Sequence, residues 1–424
     1  AHNNNDGEFG PDGDQDIIKC GSYTGNASGT GPEINLGFEP QWLLVKNANN
    51  SSSDWLLLDV MRGWGMGDAD IFLEPNKTGG DQGSQNWVDI TSTGFKITNA
   101  NGQINGSGQN HIYMAIRRGS LFPPEDATKV FAIDTASGTS PSPPHYNSGF
   151  PVDMGFYKDK SSTDSTDWYL GSRLTQGKVL KPNSTAAEAN DSALLFDFQN
   201  GFNNANWTST NYIGWMWKRA PSYFDVVAYT GNAVFNRNIQ HGLQKTPELI
   251  IVKGRDTTFD WVVYSAPVGF GKYQSLNTNI AASAEGGGIW GNSSGHTSTT
   301  FQVGNSGTVN GSGNNYIAYL FATVAGVSKV GSYTGNGGTQ NIDCGFSSGA
   351  RFVLIKRTDV SEGWKVHDSI RGIVAGNDPF LELNNTNAEN SSFDLLDPYS
   401  GGFAVNNFYG WNGSGGSYIF YAIA

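Results

Sequence analysis

The chain has 424 residues and a formal net charge of −12, from 26 basic and 38 acidic side chains; one hydrophobic core rarely serves that length, so several domains are expected. Its 56 glycines follow no Gly-X-Y period, which excludes collagen, and aromatic residues at 12% against 15% charged exclude a disordered chain. The acidic balance argues against binding along nucleic-acid phosphates, and no apolar run has the length of a helical membrane span.

Residues 1–16 are polar, acidic and Gly-rich and read as an N-terminal extension. They are not a signal peptide, and one removed earlier would leave export open. A first repeat follows over 17–120. Ser22-Tyr23-Thr24-Gly25-Asn26 opens it, and an apolar strand ends in lysine at QWLLVK (41–46). Next come Asp54-Trp55, FLEPN (72–76), a Gly-rich turn NGSG from Asn105, and the closing strand HIYMAI (111–116). The second repeat, 130–220, lacks the opening Tyr-Thr-Gly-Asn and enters through SPSPPHYN (140–147), whose prolines oppose a central strand. It keeps MGFYK ending at Lys158, Asp167-Trp168, VLKPN (179–183) and YIGWMW (212–217). The third, 224–324, has Tyr229-Thr230-Gly231-Asn232, ELIIVK ending at Lys253, Asp260-Trp261, SLNTN near Leu276, and NGSG before YIAYLF (316–321). The fourth, 329–424, has Tyr333-Thr334-Gly335-Asn336, RFVLIK ending at Lys356, Gly363-Trp364, FLELN (380–384), and NGSG before YIFYAI (418–423). Its closing strand reaches Ala424 and reads as a structural boundary.

No window keeps a 3.6-residue apolar period, whereas strand-length runs alternate with Gly, Asn, Asp and Ser throughout. In HIYMAI, His111, Tyr113 and Ala115 alternate with Ile112, Met114 and Ile116, so one set faces a core and the other a second layer or solvent. YIAYLF is apolar on both faces, as in a strand covered on both sides. The expected fold is all-β, a tandem array of four antiparallel β-sandwich modules, jelly-roll-like or lectin-like. A propeller blade would use only about 40–50 residues. Short connections, such as the one from Phe321 to Gly331, predict a semi-rigid rod or a compact block.

Trp55, Trp168, Trp261 and Trp364 share one position, as a structural core does, and Tyr113, Tyr319 and Tyr421 in the closing strands are expected beside them. Trp64, Trp87, Trp207, Trp290 and Trp411 fall outside that register among Gly and Asn. They are the candidates for stacking on sugar rings, with packing under a loop as the competing reading. Asp59 with Arg62, and Asp368 with Arg371, read as local ion pairs or turn caps. Asp68 with Asp70, or Asp159, Asp164 and Asp167, could offer oxygens to calcium, though neither set has EF-hand spacing, and ordinary solvated loops compete. The six histidines are dispersed and no HExxH occurs, so no zinc or other metal site is assigned. GNSSG (291–295) and GFSSG (345–349) are turns with no strand-to-helix context, so no catalytic residue and no cofactor is assigned. Cys20 and Cys344 are expected to remain unpaired.

The ordered set SYTGN, GFEPQWLLVKNAN, DWLLLDVMRG, FLEPNKT and GFKITNANGQINGSGQNHIYMAIRR resembles a repeat of tailed-phage structural proteins, especially tail-fibre or virion-surface proteins of marine and cyanobacterial phages. The fourth repeat follows the same pattern, and together the repeats cover nearly the whole chain. The resemblance implies a non-enzymatic virion-surface component, a tail fibre, spike or decoration protein used for display or host attachment. Its expected partners are other virion proteins, further copies of itself and host-surface polysaccharide, with no nucleic acid and no membrane insertion. A secreted cellular adhesin or extracellular filament subunit is the second reading. A polysaccharide-degrading enzyme is the third, and it requires two carboxylates facing each other across one cleft.

Overall fold

The structure is a computed structural model, and it describes residues 9–66, 70–136, 143–161, 166–206, 209–292 and 295–424. It is all-β, with several antiparallel sheets. Helix among the described residues is confined to pieces of three or four residues.

The sheets sort by repeat. In the first, the larger sheet runs opening strand Ile18–Thr24, closing strand Asn110–Arg117, lysine strand Pro40–Asn47, tryptophan strand Trp55–Asp59, then the hairpin Asp70–Leu73 and Gln82–Gln85. The third repeats this order with Phe224–Thr230, Asn315–Phe321, Leu249–Gly254, Val262–Ser265, Lys272–Ser275 and Ser283–Ala284. The fourth has Ser328–Thr334, Ser417–Ile423, Phe352–Arg357, Trp364–Asp368 and Leu381–Glu382. The second has Phe131–Thr135, Tyr212–Trp217, Met154–Asp159 and Tyr169–Ser172. Its opening strand is therefore present, but upstream of the proline loop and without the Tyr-Thr-Gly-Asn landmark. The expected entrance at 140–147 is corrected accordingly, although residues 137–142 lie outside the described set. A smaller sheet covers one face of each larger one, for example Glu33–Asn35, Gly94–Ile97 and Val88–Thr91 in the first repeat. The apolar side chains between the two layers form compact clusters within a repeat.

Two sets of landmarks are explained by hydrogen bonds. The Tyr23, Tyr229 and Tyr333 hydroxyls donate to the carbonyls of Ile104 (2.6 Å), Val309 (2.7 Å) and Trp411 (2.5 Å). The backbone N–H of Asn26, Asn232 and Asn336 donates to the buried side chain of Asn105, Asn310 and Asn412 at 2.8, 3.0 and 2.9 Å. Tyr-Thr-Gly-Asn thus latches onto the turn that begins NGSG, which is why the second repeat lacks both. The second set ties the tryptophan to its hairpin. The N–H of Trp55, Trp168, Trp261 and Trp364 donates to Asn76 (3.0 Å), Asn183 (2.9 Å), Asn277 (2.9 Å) and Asn384 (2.7 Å). That asparagine returns a bond to the aspartate before the tryptophan in the first three repeats.

The repeats do not form a rod. One apolar cluster contains residues of all four, including Trp64, Trp168, Trp215, Trp261, Tyr319, Phe352 and Trp364. Phe352 packs against Phe131 (centroids 5.5 Å) and Trp217 (5.4 Å), and Phe321 packs against Tyr421 (4.9 Å). The larger sheets of repeats two, three and four turn their outer faces toward one another, so their lysine strands are buried at every position. This accounts for the doubly apolar YIAYLF, whose last six strand positions are all buried. The first repeat differs. Its closing strand buries His111, Tyr113 and Ala115, while Ile112 is exposed and Met114 and Ile116 are half-buried.

Candidate interaction surface

Repeats two, three and four are joined by three junctions of one design. The Trp261 indole N–H of the third repeat donates to the carbonyls of Lys181 and Ser184 of the second, both at 3.1 Å. Trp364 of the fourth donates to Ser275 O of the third at 2.9 Å. Trp168 of the second donates to Glu382 O of the fourth at 2.9 Å, closing the cycle. In each repeat the accepting residue Lys181, Ser275 or Glu382 stands two positions before the asparagine that holds that repeat's own tryptophan.

The lysine that ends each strand follows the same cycle. Lys253 Nζ donates to Thr185 O (3.1 Å), Lys356 Nζ to Asn279 O (3.2 Å) and Lys158 Nζ to Thr386 O (3.2 Å), each also reaching carbonyls of its own repeat. A backbone bond completes each junction: Glu188 N to Arg255 O, Ala282 N to Thr358 O and Glu389 N to Lys160 O. The three lysines are fully buried, and burial pulls each ammonium down to about 8 despite nearby carboxylates. They were visible in the sequence as landmarks. Their recurrence at the end of an apolar strand was the signal that they carry a shared contact, and nothing in that spacing said to what.

The first repeat docks elsewhere, through an ion network. Arg219 of the second repeat grips Glu39 of the first with both terminal nitrogens, at 2.7 and 2.6 Å, and Asp225 with Nε at 2.6 Å. Asp153 accepts from the Arg219 N–H at 2.7 Å, pairs with Arg118 of the first repeat and lies 3.7 Å from Arg173. Burial alone would raise the Asp153 carboxyl, but Arg118, Arg173 and Arg219 together hold it below the usual carboxylate range. Met66 N also donates to Leu174 O at 3.1 Å. Beside this network a polar groove of about 520 Å³ lies between the first and third repeats, lined by Asp14, Asp16, Arg117, Arg118 and His241 among others.

This docking leaves the first repeat's version of the junction surface uncovered. Trp55 is half-exposed, and its indole N–H has no acceptor among the described residues. It was expected in the core with Trp168, Trp261 and Trp364, and only those three are buried. The difference is the missing neighbouring repeat. Lys46 reaches only the carbonyls of Asn50 and Ser53 in its own repeat. Trp42, Leu44 and Leu57 on the same face are half-buried, where their counterparts Phe352, Leu354 and Val366 are at most 6% exposed. Tyr319 and Tyr421 face the shared core. Tyr113 is buried inside its own repeat and does not share their register, in which Met114 stands instead.

The tryptophans considered for sugar stacking are placed differently. Trp64 and Trp290 are fully buried, Trp411 is 2% exposed and Trp87 is 7% exposed, so their ring faces are not open to a ligand. Trp64 donates to Val88 O (2.7 Å), and Trp411 donates to His367 Nε2 (2.8 Å). Trp207 lies outside the described residues. Among the calcium candidates, Asp68 and Asp164 lie outside the described residues. The buried Asp70 carboxylate accepts from the N–H groups of Trp87 (2.7 Å) and Val88 (2.9 Å). Asp159 caps Ser161 N, and Asp167 binds Lys181 and Asn183. Among the described residues no group of three or more His, Cys, Asp or Glu is arranged to hold a metal ion. Arg62 pairs with Asp59 at 3.0 Å and Arg371 with Asp368 at 2.5 Å, and each aspartate also caps the arginine's own N–H, as the sequence predicts. Cys20 and Cys344 are both free thiols.

The family model described as Domain of unknown function (DUF7483) matches residues 15–118 and 126–424. The chain belongs to the DUF7483 family. The two matched stretches part between the first repeat and the closed cycle of the other three. No curated protein and no solved structure matches this DUF7483 chain.

Proposed function

We propose that this chain is a non-enzymatic structural component of a virion surface, a tail-fibre, spike or decoration protein, built as a tandem array of four antiparallel β-sandwich modules. One observation carries the structural role. The first repeat displays, half-exposed, the same tryptophan, lysine and apolar sheet face by which the other three repeats bind one another. An apolar sheet face left partly open and edged by oriented donors fits a contact surface. The shared core supports the same reading, because side chains from all four repeats resist relative motion as one body. The resemblance to tailed-phage structural repeats supplies the virion setting. Host-surface polysaccharide stays a proposed partner, to be met by residues other than the four buried tryptophans.

The test is where the native protein resides. Mass spectrometry and immunogold labelling of gradient-purified particles are expected to find the chain on the particle exterior at fixed stoichiometry. Its recovery from a cell envelope or filament fraction, with none on particles, would replace this reading with the adhesin or filament one. Screening the chain on a glycan array tests the attachment component separately.

A further inference from the structure

We infer that the first repeat is a homotrimerisation module, in which three chains close the same three-membered cycle that repeats two, three and four close within one chain. The inference rests on the structural-assembly reading above and names the partner: two further copies of this chain.

The internal cycle serves as its template. Each of its junctions uses an indole N–H, a lysine ammonium and a backbone N–H, each meeting a carbonyl of the neighbour. All three donors and all three acceptors have counterparts in the first repeat. Asn76 holds Trp55 as Asn183, Asn277 and Asn384 hold theirs. Two residues before it stands Glu74, matching Lys181, Ser275 and Glu382, so its carbonyl is the acceptor for Trp55 of a second chain. Two residues after it stands Thr78, matching Thr185, Asn279 and Thr386, and its carbonyl receives Lys46. Asp81 matches Glu188, Ala282 and Glu389, and Ala48 matches Lys160, Arg255 and Thr358, which supplies the backbone bond. The hairpin bearing these acceptors keeps one register in all four repeats: Phe72 pairs with Gln82, Val179 with Ala189, Tyr273 with Ser283 and Phe380 with Asn390.

The first repeat nevertheless leaves these groups open. Thr78, Asp81 and Ala48 are exposed. Neither the Trp55 indole N–H nor the Asp81 N–H has an acceptor among the described residues. The apolar face matches too. Leu44, Leu57 and Met114 stand where Phe156, Leu170 and Trp215, with their counterparts in repeats three and four, line the shared core. A heterologous contact of this kind either closes into a ring or propagates as a filament. The internal cycle closes after three members, which selects the trimer. Repeats two to four cannot serve as partners, because each already spends its donor and acceptor edges on its neighbours.

Sedimentation velocity and light scattering on the full chain at micromolar concentration are expected to give three times the mass of one chain. Leu44→Asp, at a half-exposed position, is expected to yield a folded monomer with unchanged circular dichroism. Trp55→Phe, which removes the indole N–H together with part of the ring's apolar surface, is expected to weaken assembly by roughly tenfold or more per junction. Cys20 lies on this face, opposite Met114, so its alkylation is expected to be slow in the native chain and fast in Leu44→Asp, with the buried Cys344 as an unreactive control. A monomer, a dimer, or a trimer that survives Leu44→Asp overturns the proposal. A monomeric chain still found on particles would sink the trimer and spare the structural role, whereas a trimer absent from particles would do the reverse.

Discussion

At the scale of single residues, the recurring letters are explained by geometry that leaves little freedom. A Cβ on Gly335 would stand 2.2 Å from Gly413 O, and on Gly231 it would stand 2.1 Å from Gly311 O. These glycines sit under the latched turn because nothing larger fits. Gly335→Ala is expected to destabilise the protein by about 1–3 kcal/mol through forced backbone displacement. Tyr333→Phe, which deletes only the hydroxyl bonded to Trp411 O, is expected to cost about 1 kcal/mol. Equilibrium denaturation of the two variants checks both the values and their order. The two halves of the latch were legible as motifs, and the bond between them came from the structure. The tryptophan roles were not, because glycine and asparagine surround buried Trp290 and Trp411 as readily as exposed rings: these small residues make the tight turns that cover an indole.

At the scale of the element, the lysine strand shows how one pattern takes two environments. In QWLLVK, Leu43 and Val45 are buried and Trp42 and Leu44 only partly so, while ELIIVK is covered on both faces. The lysine at its end is then sealed against carbonyls without a paired carboxylate. Lys158, Lys253 and Lys356 have a folded pKa near 8, against about 10.4 in an unfolded chain. The unfolded state binds more protons between these values, so stability rises with pH across that window and is lost as pH falls through the folded value. Buried tyrosines, Tyr229 among them, are raised by burial and reverse the trend above about pH 10, where the unfolded phenols ionise. Denaturant midpoints from pH 7 to 9.5 are expected to climb, and a Lys253→Met variant to climb less. Trp261→Phe removes the donor shared by Lys181 O and Ser184 O together with part of a fully buried ring, although Lys181 O keeps the Ser184 N–H, and is expected to cost about 1–3 kcal/mol, read by the same titration.

At the scale of the whole molecule, a cycle closed by apolar packing carries a first repeat held both by the shared apolar cluster and by buried charge. Asp153 is the hub, facing Arg118, Arg173 and Arg219. Its folded pKa is depressed, so its contribution is complete above the unfolded value of about 3.9 and fades as pH falls through the folded one. Asp153→Ala removes the carboxylate shared by Arg118, Arg173 and Arg219, of which Arg118 and Arg219 keep Glu39 while buried Arg173 loses its ion partner, and is expected to weaken docking of the first repeat by about 3 kcal/mol. Calorimetry at pH 7 is expected to resolve an early transition in that variant, and in the native chain an early transition is expected only below about pH 4. Proteolysis between the first and second repeats, near residues 119–125, reports the same undocking; a variant that unfolds in one step with the native midpoint would count against the hub.

The β character, the recurrence of Tyr-Thr-Gly-Asn and of the NGSG turn, and the local Asp–Arg pairs were all readable along the chain. Each of these depends on contacts within one repeat, and such contacts leave a spacing that recurs. Which outer sheet faces meet, that repeats two to four close on themselves, that the first is docked by an ion network beside an apolar contact, and that Trp55 is left half-open emerged from the folded chain alone. Those outcomes depend on which surface finds which neighbour. The same tryptophan, lysine and asparagine stand in every repeat, and no repeated letter records the presence or absence of a partner.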